Sequence, residues 1–137
     1  MPISHIPLVD DDPIFLASLA AALRQSRYRV TTAEHFDTAL NVLESTDKPD
    51  ILEADIVMPR SIDGVALARM ARLRHPKVAA VFITGHNMSE LEQMAFGPVL
   101  RKLIEPAQLI AAMEVEHARR AGETSPSSPA RAAQARE

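Results

Sequence analysis

Two textures alternate along the chain. Short apolar runs at 6–9, 51–52 and 78–83 are bounded by polar or turn residues, and weaker runs occur at 29–33 and 99–103. Runs of this length read as strands. Between them the apolar positions recur at helical spacing. Phe15, Leu19, Ala22 and Leu23 share one face, as do Phe36, Leu40 and Leu43. Val65, Ala68 and Leu73 repeat the pattern more loosely, and Leu109, Ala112 and Met113 repeat it near the end. Strand–helix alternation predicts an α/β domain, a doubly wound parallel sheet with helices on both faces. Pro7 falls inside the first run, where a proline cannot donate to a ladder, so a bulge or irregular start is expected there.

The texture stops near the end. From 121 to 137 no large apolar side chain appears, and Ser, Pro and Ala dominate. Such a stretch cannot bury enough surface to offset its ordering entropy. The expected division is a folded domain at 3–120 and a disordered tail at 121–137.

In doubly wound folds, ligands bind outside the carboxyl ends of the strands. Here those ends carry Asp10, Asp11 and Asp12, then Asp55, Thr84 and Lys102. Asp12 precedes Pro13 and suits a helix N-cap. Asp10 and Asp11 are left for other work. Carboxylates without cysteine or paired histidines suit a hard cation, and Mg²⁺ takes oxygen ligands and one or two carboxylates. Asp11 and Asp55 on adjacent strands would supply them. A carboxylate can also attack phosphorus. A lysine and a hydroxyl then stabilise the transferring group.

Composition narrows the choices. The 137 residues suit one domain, with 47% hydrophobic and 24% charged residues and a net charge of -3. No basic balance points to nucleic acid. The cluster Arg69, Arg72, Arg74, His75 and Lys77 lacks interleaved aromatics and reads as a solvated face. The absence of cysteine excludes disulfides, thiolate metal sites and a cysteine nucleophile. None of the five histidines has metal-ligand spacing, though His86 could flank a phosphoryl group. No run approaches the ~20 apolar residues of a membrane span, and no signal peptide is visible. A soluble, cytoplasmic chain is expected.

The chain resembles a response regulator receiver domain, the phosphoacceptor of two-component signalling. The resemblance rests on "VDDDP" at 9–13, "DIVMP" at 55–59, "DG" at 63–64, "FITG" at 82–85 and Lys102. It implies a flavodoxin-like, five-stranded sheet in the order 2-1-3-4-5. It implies that Asp55 is phosphorylated and that Asp10 and Asp11 bind Mg²⁺ with Asp55 and the Val57 backbone carbonyl. Thr84 and Lys102 would bind the phosphoryl group, and Gly85 would keep access open. Implied partners are a histidine kinase or histidine phosphotransfer protein, a downstream target protein, and a second copy of the chain. The surface would be the helix around 89–95, the fifth strand and the last helix. Neither nucleic acid nor membrane is expected, and the chain would not be a turnover enzyme.

The sequence departs from that family at several points. Leu103 follows the lysine where proline is usual, and Val99 replaces the usual aromatic residue. The short span from Thr84 to Lys102 implies a short or irregular helix at 89–95. One extra residue lies between Pro59 and Asp63. Glu53 shares a strand side with Asp55. It is expected to be partly solvated or paired, and to weaken phosphorylation by raising the pKa of Asp55. These departures leave a phosphate-independent adaptor as the alternative. A haloacid-dehalogenase-like phosphatase, with Asp10 as nucleophile and Asp12 as acid, lacks its later acidic pair, since the last aspartate is Asp63.

Overall fold

A computed structural model describes residues 2–45, 47–55, 64–85 and 97–122. The strands are β1 (His5–Val9), β2 (Arg29–Ala33), β3 (Ile51–Asp55), β4 (Ala79–Thr84) and β5 (Val99–Arg101). The helices are α1 (Pro13–Gln25), α2 (Phe36–Glu44), α3 (Gly64–Arg74) and α4 (Pro106–Gly122). All strand pairings are parallel, in the order β2-β1-β3-β4-β5. α4 runs through Ala121 and Gly122, two residues past the boundary drawn at 120. The segment expected as a helix at 89–95 and the loop at 56–63 lie outside the described residues.

Strand alternation divides the core in two. Leu52, Ala54, Ala80 and Phe82 point into a cluster with Phe36, Leu43, Leu67 and Ala71 of α2 and α3. Ile51, Ala79, Val81 and Ile83 point to the other side, against Leu16, Leu19 and Leu23 of α1 and Leu109 and Met113 of α4. The central strands are buried on both faces, which is why β4 reads as an unbroken apolar run. One helical position was misread. Leu73 is 83% exposed, while Leu67 and Ala71 fill the core. Gly64, Val65, Leu67, Ala68 and Ala71 form the buried stripe of α3, and Leu73 falls on the opposite side of the turn.

Pro7 makes no bulge. β1 pairs with β2 at every residue, including Pro7 with Thr31. Asp10 N–H donates to Ala33 O of β2, and His5 O accepts from Asp50 N just before β3. Even-numbered amides of β1 therefore face β2 and odd-numbered positions face β3. The missing donor of Pro7 falls on the β3 side, where pairing begins only at Leu8 with Glu53. The strand keeps its full pairing with β2 and gives up early pairing with β3.

Candidate functional site

The acidic triplet divides as its chemistry requires. Asp12 adopts an extended backbone, and its Oδ1 accepts from Ile14 N at 3.1 Å and Phe15 N at 3.2 Å. It is the N-cap of α1, with Pro13 opening the first turn. Asp10 is fully buried, and its Oδ1 accepts from Asp12 N at 2.9 Å. Asp11 is half-buried beside it.

Parallel pairing brings the other strand ends alongside. Val9 is in register with Ala54 of β3, so the residues that follow both face the same edge. One ligand atom each from Asp10, Asp11 and Asp55 lies within 4.8 Å of the others. Lys102 reaches in from just beyond β5. Its Nζ lies 3.0 Å from Asp10 Oδ2, 3.2 Å from Asp10 Oδ1 and 3.4 Å from Asp55 Oδ2. The Lys102 backbone N–H donates to Thr84 O at 2.9 Å, which ties the lysine to the end of β4. Thr84 is buried.

The electrostatics are those of a crowded anionic pocket. Burial raises the pKa of Asp10, opposed by the Asp12 amide and Lys102 and reinforced by Asp55. Burial would lower Lys102, but Asp10 and Asp55 outweigh it and the ammonium is held above its ordinary value. Glu53 corrects the expectation of solvation or pairing. It is fully buried, and neither oxygen has a hydrogen-bond partner among the described residues. Burial, then the Asp10 and Asp55 charges, push its pKa well above the glutamate range. Its register explains the depth: Glu53 pairs with Leu8 on one side and Val81 on the other, mid-sheet.

Five of the residues singled out in the sequence therefore meet at one edge: Asp10, Asp11, Asp55, Thr84 and Lys102. Val57, Asp63 and His86 lie outside the described residues. Two contributors escaped notice. The Phe15 ring centroid lies 4.7 Å from Lys102 Nζ, although the helical pattern marked Phe15 only as core. Gly64 lets α3 start against the end of β3, since a Cβ there would sit 2.3 Å from Asp55 O. Only its place directly after Asp63 hinted at that contact. Three clustered carboxylates, all oxygen donors with one ammonium between them, fit a hard divalent cation. An open cavity of about 340 Å³, bordered by Lys48, Asp50, Lys77 and His117, lies at the opposite end of the sheet. Among the described residues, no helix is long and apolar enough to cross a membrane.

Known proteins share this fold. The response regulator receiver domain pattern matches residues 6–114. The DNA-binding transcriptional regulator NtrC of Klebsiella pneumoniae is 35% identical over 94 residues, covering 65% of this chain and 20% of the relative. The chain thus spans about a fifth of the length of such relatives. A response regulator receiver protein from Sinorhizobium medicae superimposes with a TM-score of 0.76 at 30% identity, covering 86% of this chain and 97% of the other. The response regulator TrrA of Thermotoga maritima, solved in complex with Mg²⁺-BeF, gives a TM-score of 0.72 at 25% identity, covering 82% and 98%. With its 2-1-3-4-5 parallel sheet and its acids at the strand ends, the chain belongs to the response regulator receiver domain family of two-component systems.

Proposed function

We propose that this chain is a phosphoacceptor that takes a phosphoryl group onto Asp55 from a phosphohistidine and signals through protein contacts. The observation that carries the reading is the position of Lys102 Nζ, which touches both Asp10 and Asp55 at the edge where Asp11 completes the carboxylate cluster. A carboxylate oxygen of Asp55 attacks phosphorus as the bond to the donor nitrogen breaks. Lys102 neutralises a phosphoryl oxygen as charge spreads over the group. Thr84, tied to Lys102 through the backbone, donates its hydroxyl to another. Asp10 and Asp11, with Asp55 and the Val57 carbonyl, would hold Mg²⁺, which supplies charge neutralisation and in-line orientation. Receiver domains work with histidine kinases and downstream effectors. The proposed partners are therefore a histidine kinase or phosphotransfer protein and a target protein, with a second copy of the chain as a further contact, all in the cytoplasm.

A second reading rests on Glu53. A buried, unpartnered carboxyl two residues before Asp55 resists ionising beside it. If it did ionise it would oppose further negative charge there, which favours an adaptor that works without phosphate. Acetyl phosphate with Mg²⁺ separates the two. The phosphoacceptor gains the mass of one phosphoryl group, and Asp55→Asn abolishes the gain. A chain that shows no Asp55-dependent gain and no Mg²⁺ affinity is the adaptor.

A further inference from the structure

We propose that Phe15 is a positioning residue for Lys102, holding the ammonium over the acceptor edge through the face of its ring. The inference rests on the phosphoacceptor reading, and it concerns what keeps the lysine in place when its carboxylate partners are engaged elsewhere.

Among the described residues, three groups meet Lys102 Nζ: the carboxylates of Asp10 and Asp55, at 3.0 to 3.4 Å, and the Phe15 ring, 4.7 Å to its centroid. That distance lies inside the ~6 Å range of a cation–π contact. The three are not equivalent. Asp10 and Asp55 carry the oxygens that a divalent cation would claim. A neutral ring offers nothing to a hard cation. Of the three, only the ring keeps its hold on the ammonium whether or not the carboxylates are shared.

The ring is also well anchored. Phe15 stands in the first turn of α1, with its N–H donated to the Asp12 cap. Its side chain packs against the α1–α4 core. The same turn that follows Asp10 and Asp11 therefore presents the ring, so one helix start fixes the acids and the lysine's support together. The side chain needs that support, because beyond the backbone bond of Lys102 N–H to Thr84 O the residue that follows packs against little. Leu103, the next residue, is 90% exposed. Along its stem, Lys102 Cδ passes Gly85, where a Cβ would lie 3.8 Å away. The stem thus crosses open backbone on its way to the ring.

The test compares Phe15→Leu, which keeps apolar bulk without the π face, with Phe15→Tyr, which keeps the face. Beryllofluoride affinity in the presence of Mg²⁺ falls about three- to tenfold in Phe15→Leu and stays within about twofold of wild type in Phe15→Tyr. Mg²⁺ affinity measured alone is unchanged in both. In a Lys102→Met background, Phe15→Leu adds no further loss, because the interaction is already gone. Without any ligand, the Lys102 ε-methylene protons of wild type resonate upfield under the ring, and the shift disappears in Phe15→Leu. Equal losses in the Leu and Tyr variants, a parallel loss of Mg²⁺ affinity, or wild-type affinity in Phe15→Leu would each overturn the proposal. A wild type that takes up no beryllofluoride sinks the phosphoacceptor reading instead. The ring-current shift then still decides whether Phe15 holds the lysine.

Discussion

The two ends of the sheet treat buried polar groups in opposite ways. At the N-terminal end, Asp50 Oδ2 accepts from Ser4 N at 2.8 Å and His5 N at 2.9 Å. The Asp50 amide donates back to His5 O at 3.0 Å. The buried His5 ring meets Thr31 Oγ1 at 2.8 Å and Lys48 O at 3.3 Å. Both side chains find their partners in fixed neighbouring strands and turns. At the C-terminal end, Asp10 and Asp55 share one ammonium, and the buried Glu53 is left without a hydrogen-bond partner among the described residues. One end spends its polar groups on the fold. The other gathers them around one ammonium with Glu53 unpartnered, which costs stability, as functional sites often do.

The sharpest way to break this comparison is at the satisfied end. Asp50→Ala strips two backbone amides of a charged acceptor. At about 1.5 kcal/mol for each such bond, the fold should lose about 3 kcal/mol. Urea unfolding measures the loss, and Mg²⁺ titration should show an unaltered site. A loss below about 1 kcal/mol would mean that water replaces the carboxylate and that this end is not the anchor described.

The next effect has the opposite sign. Glu53→Leu replaces a buried, unpartnered carboxyl by an apolar side chain of similar reach, and should stabilise the fold by about 2 kcal/mol near neutral pH. The pH dependence follows from its raised pKa. Once pH exceeds the ordinary glutamate range, the unfolded chain has released a proton that the folded chain still holds. Stability therefore falls as pH climbs through that window and levels off above the folded value. The variant should lose most of this slope. A remainder stays because Asp10 is raised in the same sense. Only above the raised pKa of Glu53, where its charge would repel, should acetyl phosphate also label Asp55 faster in the variant. Wild-type stability at every pH would show that Glu53 has a partner after all.

Much of this was legible in the chain because it depends on local pattern. Strand–helix alternation gave the layers. Asp12 before Pro13 signalled its cap. The acids, Thr84 and Lys102 stood at successive strand ends, which is where parallel pairing gathers residues. What stayed hidden depends on register and tertiary packing. Glu53 looked able to reach solvent until pairing with Leu8 and Val81 placed it mid-sheet. Phe15 followed the helical period as well as any core residue, and only the path of Lys102 made it a neighbour of the site. Pro7 suggested a bulge or an irregular start, and the structure has only the second, on the β3 side, because a sequence does not say which neighbour an amide faces. Leu73 fitted a loose period but missed the buried stripe by its angle on the helix.

The smallest effect sharpens the comparison by separating closeness from burial. Arg74 Nη2 lies 2.8 Å from Glu44 Oε2, closer than Lys102 lies to either of its carboxylates. By distance alone this pair between α2 and α3 would be the stronger one. Both its side chains are about half exposed, whereas Asp10 is fully buried and the Lys102 side chain is 19% exposed. Water screens the exposed pair, and two long side chains lose rotamer freedom to form it, so such pairs contribute about 0–1 kcal/mol. Arg74→Ala should therefore change stability by no more than about 0.5 kcal/mol in urea unfolding, and raising salt should erase even that difference. A loss above about 1.5 kcal/mol, persisting in high salt, would place Arg74 among the structural anchors. It would also show that burial does not decide which polar contacts in this domain hold the fold.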